Sequence, residues 1–282
     1  MRNTSWAAAA VLALSMIAGV GVAATAGASP AEVTSAGSHA SSDAQVLSVR
    51  LHPMPQGTVT FGRTEAGQLT ATVRTFGLTP GSSHSVWLVA RDGETSAGFG
   101  TLTADGGGAA DAVLFGTGVG DTGRRIPFGS RLVIGLDTTS GQPIAETSPV
   151  TWGERSYQLR AVEVGPTGIR YGTPRGWATL DYDPVAHTIT VTLSASGLTP
   201  GAHAAHIHIG SCQSQGPVRY MLMDFVADGR GQVVHQVRTV TGVTSPIPAN
   251  SWYLNLHQGN SNNILSNGQP TVNFRPLLCS NI

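Results

Sequence analysis

Apolar and polar residues alternate along most of this chain in short runs, the period-two signature of strands that bury one face. The alternation predicts strands over Gln68 to Phe76, Ser85 to Ala90, Arg131 to Leu136, Thr188 to Ser194, Val233 to Val240 and Trp252 to His257. Turn chemistry separates the runs: Thr-Pro-Gly twice, Ala-Asp-Gly twice, and Ser266-Asn267-Gly268, residues that supply a fixed or positive φ where a chain reverses. No stretch beyond the first 28 residues carries the 3.6-residue apolar period of an amphipathic helix. The expected class is therefore all-β, built as Greek-key β-sandwiches.

The pattern occurs twice. Gly77-Leu78-Thr79-Pro80-Gly81 recurs as Gly197-Leu198-Thr199-Pro200-Gly201, Ala104-Asp105-Gly106 as Ala227-Asp228-Gly229, and Ile126-Pro127 with Ser130 to Leu136 as Ile247-Pro248 with Ser251 to His257. The offsets are 120, 123 and 121, so small loop changes separate two homologous domains, expected at 45–152 and 156–282. The N-terminus reads differently. Arg2, an apolar stretch from Ala7 to Val22 and Ala26-Gly27-Ala28 form a secretory signal pattern with cleavage near Ala28. Residues 29–44 then read as a flexible leader rich in Ala, Ser and Gly. No later stretch is apolar enough to span a bilayer, and the expected mature protein is exported, without a membrane span.

Charge narrows the partners. Sixteen basic residues less Arg2 leave 15 against 16 acidic ones, and every basic residue is Arg, a balance that argues against nucleic acid. Two cysteines, Cys212 and Cys279, most simply make one disulfide in an exported chain, closing a long loop worth about 4 kcal/mol. Two buried free thiols are the alternative.

Candidate chemistry gathers in the second copy. His206 and His208 stand two apart on one strand, so both imidazoles share a face. Aligned by the offsets, the first copy holds Val86, Leu88 and Leu136 where the second holds His206, His208 and His257, which reads as three imidazoles at inward positions. Buried imidazoles need hydrogen-bond partners or a metal. Three such nitrogens without a free thiolate suit zinc or copper, and raw affinity favours Cu(II). His235, on an apolar strand face with Val233 and Val237, is the remaining candidate for a fourth ligand. His52, His84 and His187 read as surface residues, and His39 lies in the leader. Ser211-Cys212 lacks an orienting base, Asp181, Asp183, Asp224 and Asp228 read as turn or strand-end residues, and Gly106-Gly107-Gly108 lacks the helix a phosphate loop needs.

These residues carry a resemblance. The run from Gly197 to His208, with Gly210-Ser211-Cys212 behind it, resembles the copper-ligand strand and disulfide loop of copper/zinc superoxide dismutases, particularly the bacterial periplasmic ones. Trp252 to His257 is similar to the strand bearing that family's last copper-binding histidine, and Arg275 and Cys279 resemble its C-terminal arginine and disulfide cysteine. Through Gly216-Pro217-Val218 and Tyr253 to His257, the compact spacing resembles the CHRD domain still more closely, a relative of the dismutase fold with no settled catalytic role. The resemblance covers the second copy and reaches the first through the repeat alone.

It implies that His206, His208 and His257 ligate copper, that His203 holds their orientation, and that Cys212 and Cys279 form the structural disulfide. It also implies a catalytic, anion-guiding Arg275. The chain departs from the dismutases between Gln213 and Tyr220, which contain no histidine; the bridging ligand and a separate zinc site are not expected. Arg275 stands four residues before the cysteine rather than three, with Pro276 between them. The implied function is an exported, copper-binding dismutase-like protein, acting on superoxide if it is an enzyme. The alternative is a non-catalytic CHRD-type extracellular binding or scaffold module, or a copper buffer, facing a cell-surface partner.

Overall fold

The computed structural model describes residues 44–117, 126–151 and 153–282; the expected signal peptide and the leader, save Ala44, lie outside them. In chain order the strands are β1 (Gln45–Pro53), β2 (Gln56–Arg63), β3 (Leu69–Phe76), β4 (Ser83–Val89), β5 (Thr95–Thr103), β6 (Ala110–Phe115), β7 (Arg131–Gly135), β8 (Pro143–Thr147) and β9 (Ser156–Ala161). They continue as β10 (Glu163–Val164), β11 (Arg170–Gly172), β12 (Arg175–Asp183), β13 (Thr188–Ser196), β14 (Gly201–Ile209), β15 (Val218–Ala227), β16 (Val233–Thr241), β17 (Trp252–His257), β18 (Leu265–Ser266), β19 (Gln269–Pro270) and β20 (Pro276–Asn281). Among the described residues there is no α-helix, only a short 3-10 turn at Val272–Phe274. The all-β expectation holds.

Sixteen strands form two eight-stranded antiparallel sheets, ordered β5-β4-β7-β8-β9-β2-β3-β6 and β15-β14-β17-β20-β1-β12-β13-β16. Each sheet curls until its edge strands approach one another, giving two nearly closed sandwiches in tandem. Alternation supplies each core: β9 buries Tyr157, Leu159 and Ala161 and exposes the residues between them, and β13 buries Ile189, Val191, Leu193 and Ala195.

The two sheets exchange strands. β1 belongs to the first sequence copy yet pairs with β12 and β20 of the second sheet. β9 opens the second copy yet sits between β8 and β2 of the first sheet. Each copy thus lends its opening strand to the other, and the linear division at 45–152 and 156–282 does not coincide with the division between sheets. The link explains why β1 does not fold back. Only Met54 and Pro55 separate β1 from β2, and a two-residue hairpin turn needs positive φ at its first central residue, which Gly, Asn or Asp supplies and Met-Pro does not.

Strand pairing also corrects the alignment of the copies. His84 faces Leu102 and His203 faces Phe225, and each holds Nδ1 against the carbonyl ending the neighbouring strand, Gly135 and His257 respectively. Three residues on, past a bulge in both copies, Trp87 faces Gly98 and His206 faces Met221. The counterparts of His206, His208 and His257 are therefore Trp87, Val89 and Gly135, not Val86, Leu88 and Leu136. The cause is a single residue: His84 follows Thr79 by five positions, His203 follows Thr199 by four. A one-residue slip turns every side chain to the other face. Ala205, Ile207, Leu254 and Leu256 point into the core, and the histidines occupy the opposite face of the sheet.

Around the histidines that face is buried as well. Met54, Cys212, Tyr253 and Cys279, with Phe76 against them, form a small apolar cluster over it, and all six residues of β17 are buried.

Candidate metal centre

β14 carries His206 and His208, β17 carries His257, and the two strands pair with His206 opposite Asn255. The three imidazoles are at most 2 % exposed, and one ligand nitrogen from each lies within 4.8 Å of the others. His206 Nδ1 and His257 Nε2 are 3.1 Å apart. Two nitrogens each about 2 Å from one ion stand about 3–4 Å apart, so this pair is already at ligand spacing, and the third needs a shift of about 1 Å.

The remaining ring nitrogens are held by backbone. His208 donates Nδ1–H to the Gly216 carbonyl at 2.9 Å, which leaves Nε2 as a bare lone pair; that atom is buried without a partner. His257 donates Nδ1–H to the Phe274 carbonyl at 2.6 Å, turning its Nε2 toward His206. Such carbonyl partners fix tautomer and ring orientation in metal-binding histidines. The rings are also clamped: Tyr253 stacks on His208 with centroids 4.7 Å apart and planes 15° apart, and Phe274 lies 4.7 Å from His257. His203, which the resemblance gives as a supporting residue, is buried with its nitrogens 2.9 and 2.8 Å from the carbonyls of His257 and Thr199, tying the end of β17 to the turn before β14.

Electrostatics keep these rings neutral. Burial, reinforced by His206, drives the His257 pKa down to about 3, while its bond to Phe274 opposes the shift. Burial, with His208 beside it, lowers His206 to about 4 against a small opposing pull from Asp224. Burial lowers His208 too, partly opposed by Gly216. Neutral imidazole is the form that ligates.

The Cys212–Cys279 disulfide is formed, across a sequence separation of 67, for which the chain-entropy relation gives about 4 kcal/mol. It anchors the loop that orients His208. On the other side of that loop, Gln215 donates Nε2–H to the Leu78 carbonyl at 2.8 Å and its backbone N–H to Gly107 at 3.0 Å. The turns of the first copy therefore hold the loop from below. Gly216 lies between these anchors, and its N–H reaches the Tyr253 hydroxyl at 3.1 Å. A cleft of about 310 Å³ lined by Pro80, Gly106, His208, Gly216, Tyr253 and Phe274 leads to the site.

Three expectations are corrected. Arg275 does not face an incoming anion: it is 1 % exposed, and its Nη2 donates to Glu163 Oε2 at 2.6 Å and Gln258 Oε1 at 2.7 Å. Turned inward, it ties β10 to the β17–β20 corner. His235 is exposed, at a left-handed φ of 45° on β16, and does not join the histidine group. His84 is buried rather than at the surface, bonded to the Gly135 carbonyl and the Ser82 hydroxyl. His52 and His187 are exposed as expected. Sequence reasoning missed the Gly216 and Phe274 carbonyls, which are backbone atoms without a residue-type signal. It also missed Asn255, which is fully buried with both side-chain polar atoms unpartnered and lies between His206 and Cys279 in the pairing.

Among known families, the CHRD domain matches residues 159–264, a span that contains all three histidines of the site and Cys212 but begins inside the exchanged strand β9. No curated protein matches the chain. Among the described residues, no helix is long and apolar enough to cross a membrane.

Proposed function

We propose that the second sandwich is a metal-holding module of the CHRD type in an exported protein, and that it takes copper on His206 Nδ1, His208 Nε2 and His257 Nε2. The observation that carries this reading is the convergence of three neutral, buried imidazole nitrogens whose other ring atoms are engaged or free to face away. The donor set fits: imidazole suits copper and zinc, and copper is bound more tightly at equal availability. His208 Nε2 and the Asn255 carboxamide, buried without partners, are the orphaned polar atoms expected around such an ion.

Bound copper would supply one-electron chemistry, and superoxide is the substrate that the dismutase-like strand suggests. This chain's own residues favour holding an ion over turning over an anion. Arg275 is spent on Glu163, and the ligand rings are packed beneath Tyr253 and Phe274. The exported, non-catalytic binding module is therefore the preferred reading.

The test is metal analysis of the purified chain after loading with Cu(II) or Zn(II), beside the His206→Ala/His208→Ala variant. One ion per chain in the wild type and none in the variant is expected. No retained ion, or equal retention in both, would sink the proposal. A superoxide assay on the loaded protein is expected to show no more activity than free copper; activity well above it, lost in the variant, would make the dismutase reading the right one.

A further inference from the structure

Beside the histidines stands a pair of exposed methionines. In the β14–β15 ladder Met221 is the direct partner of His206. Directly opposed residues of antiparallel strands share a face with Cβ atoms about 4.5–5.5 Å apart. Met221 is 67 % exposed and Met223, two residues on, is 77 % exposed, so neither thioether is held by packing and each can turn on its three side-chain torsions. Met54, the third methionine among the described residues, is buried in the apolar cluster.

The sister copy shows that these methionines accompany the histidines. With the register set by strand pairing, Met221 corresponds to Gly98 and Met223 to Gly100, while His206 corresponds to Trp87. The first sandwich thus lacks the sulfur and the imidazoles together. Among the described residues the other candidates are spent or ill-suited: His235 is elsewhere, both cysteines are in the disulfide, Asp224 is engaged by the N–H and hydroxyl of Ser261, and the unpartnered Asn255 carboxamide offers only a hard oxygen.

We propose that Met221 completes the site with its thioether sulfur and that the module thereby selects Cu(I). The inference rests on the copper reading of the three histidines and adds to it the oxidation state and the fourth donor. Thioether sulfur is a soft donor that favours Cu(I), whereas the hard and borderline alternatives gain little from it. Met223 lies next along the exposed side and offers a second soft contact to an arriving ion.

The experiment is competition for Cu(I) against a chromophoric Cu(I) chelator under anaerobic reductant too weak to open the disulfide, using wild type, Met221→Leu, Met223→Leu and His206→Ala/His208→Ala. Leu preserves size and apolarity at an exposed strand position, so folding is not at stake. The expected result is a Cu(I) affinity lowered about tenfold or more in Met221→Leu, with Zn(II) affinity unchanged. X-ray absorption of the Cu(I) protein is expected to show a sulfur neighbour that Met221→Leu lacks. Cu(I) affinity unaltered in Met221→Leu, or no sulfur beside copper in the wild type, overturns the role of Met221 and leaves the histidine reading standing. Failure of the wild type to hold any ion overturns both.

Discussion

Because β1 and β9 are exchanged between the two sheets, the two sequence copies are not expected to fold apart. A fragment spanning 45–152 contains β1 but not β9, and β9 fills the middle of the first sheet between β8 and β2. Its Tyr157, Leu159 and Ala161 are at most 4 % exposed. Burying the first two is worth about 1.5–3 kcal/mol each, so about 5 kcal/mol of apolar burial leaves with the strand. The seven ladder pairs on its two sides, four with β2 and three with β8, contribute about 1 kcal/mol each, which roughly offsets the ordering of six residues. A domain's whole stability is about 5–15 kcal/mol. The fragment 45–152 should therefore be unfolded or only loosely collapsed, whereas 56–162, which carries β9, should melt cooperatively.

The vacant position could be filled by β1, whose Leu47, Val49 and Leu51 present the same alternation, were it not for the Met54-Pro55 link. Replacing that pair with Asn-Gly should let β1 fold back as a hairpin and rescue 45–152. Near-ultraviolet circular dichroism and urea melts of the fragments read the outcome. Mixing 45–152 with 153–282 should also restore one folded complex on a sizing column. A cooperative urea transition for 45–152 alone, at the midpoint of 56–162, would refute the reasoning.

Two further outcomes are expected. The Arg275–Glu163 pair is buried on both sides, so Arg275→Met or Glu163→Gln should each cost about 3–5 kcal/mol by leaving a charge or an acceptor uncompensated, with the Arg275→Met/Glu163→Leu double variant recovering part of the loss; a wild-type urea midpoint for Arg275→Met would contradict this structural role. Acid should weaken the metal-free fold, because His206 and His257, lowered to about 4 and about 3, stay neutral in the fold while the unfolded chain takes up protons near the usual 6.5. Stability is then full above about pH 7 and falls toward pH 4, by about 2 kcal/mol per imidazole at pH 5. Urea midpoints that do not move between pH 7 and pH 5 would count against the burial of these rings.

The strands were legible because their cause is local: a half-buried strand must alternate, and β17 occurs at the residues the alternation marks. The histidine pair was legible for the same reason, since two residues apart on any strand means one face. Which face was not legible. β17 is buried on both sides, and β14 carries Ala, Ile and His without an exposed residue between His203 and His208, so alternation contains no sign of which side is core. The sister copy pointed to His257, yet a one-residue difference between Thr79–His84 and Thr199–His203 inverted the reason: the histidines replace Trp87, Val89 and Gly135 on the covered outer face rather than aliphatics in the core. The exchange of β1 and β9 leaves no local trace either, because a strand pairs with the same periodicity whichever sheet receives it. Its one physical cue is a link of two residues that cannot turn. Metal binding by these histidines requires three nitrogens to meet, whichever side of the sheet they meet on. The side matters for Met221, which can reach His206 because both lie on the outer face, where a core position would have left no room for an exposed sulfur.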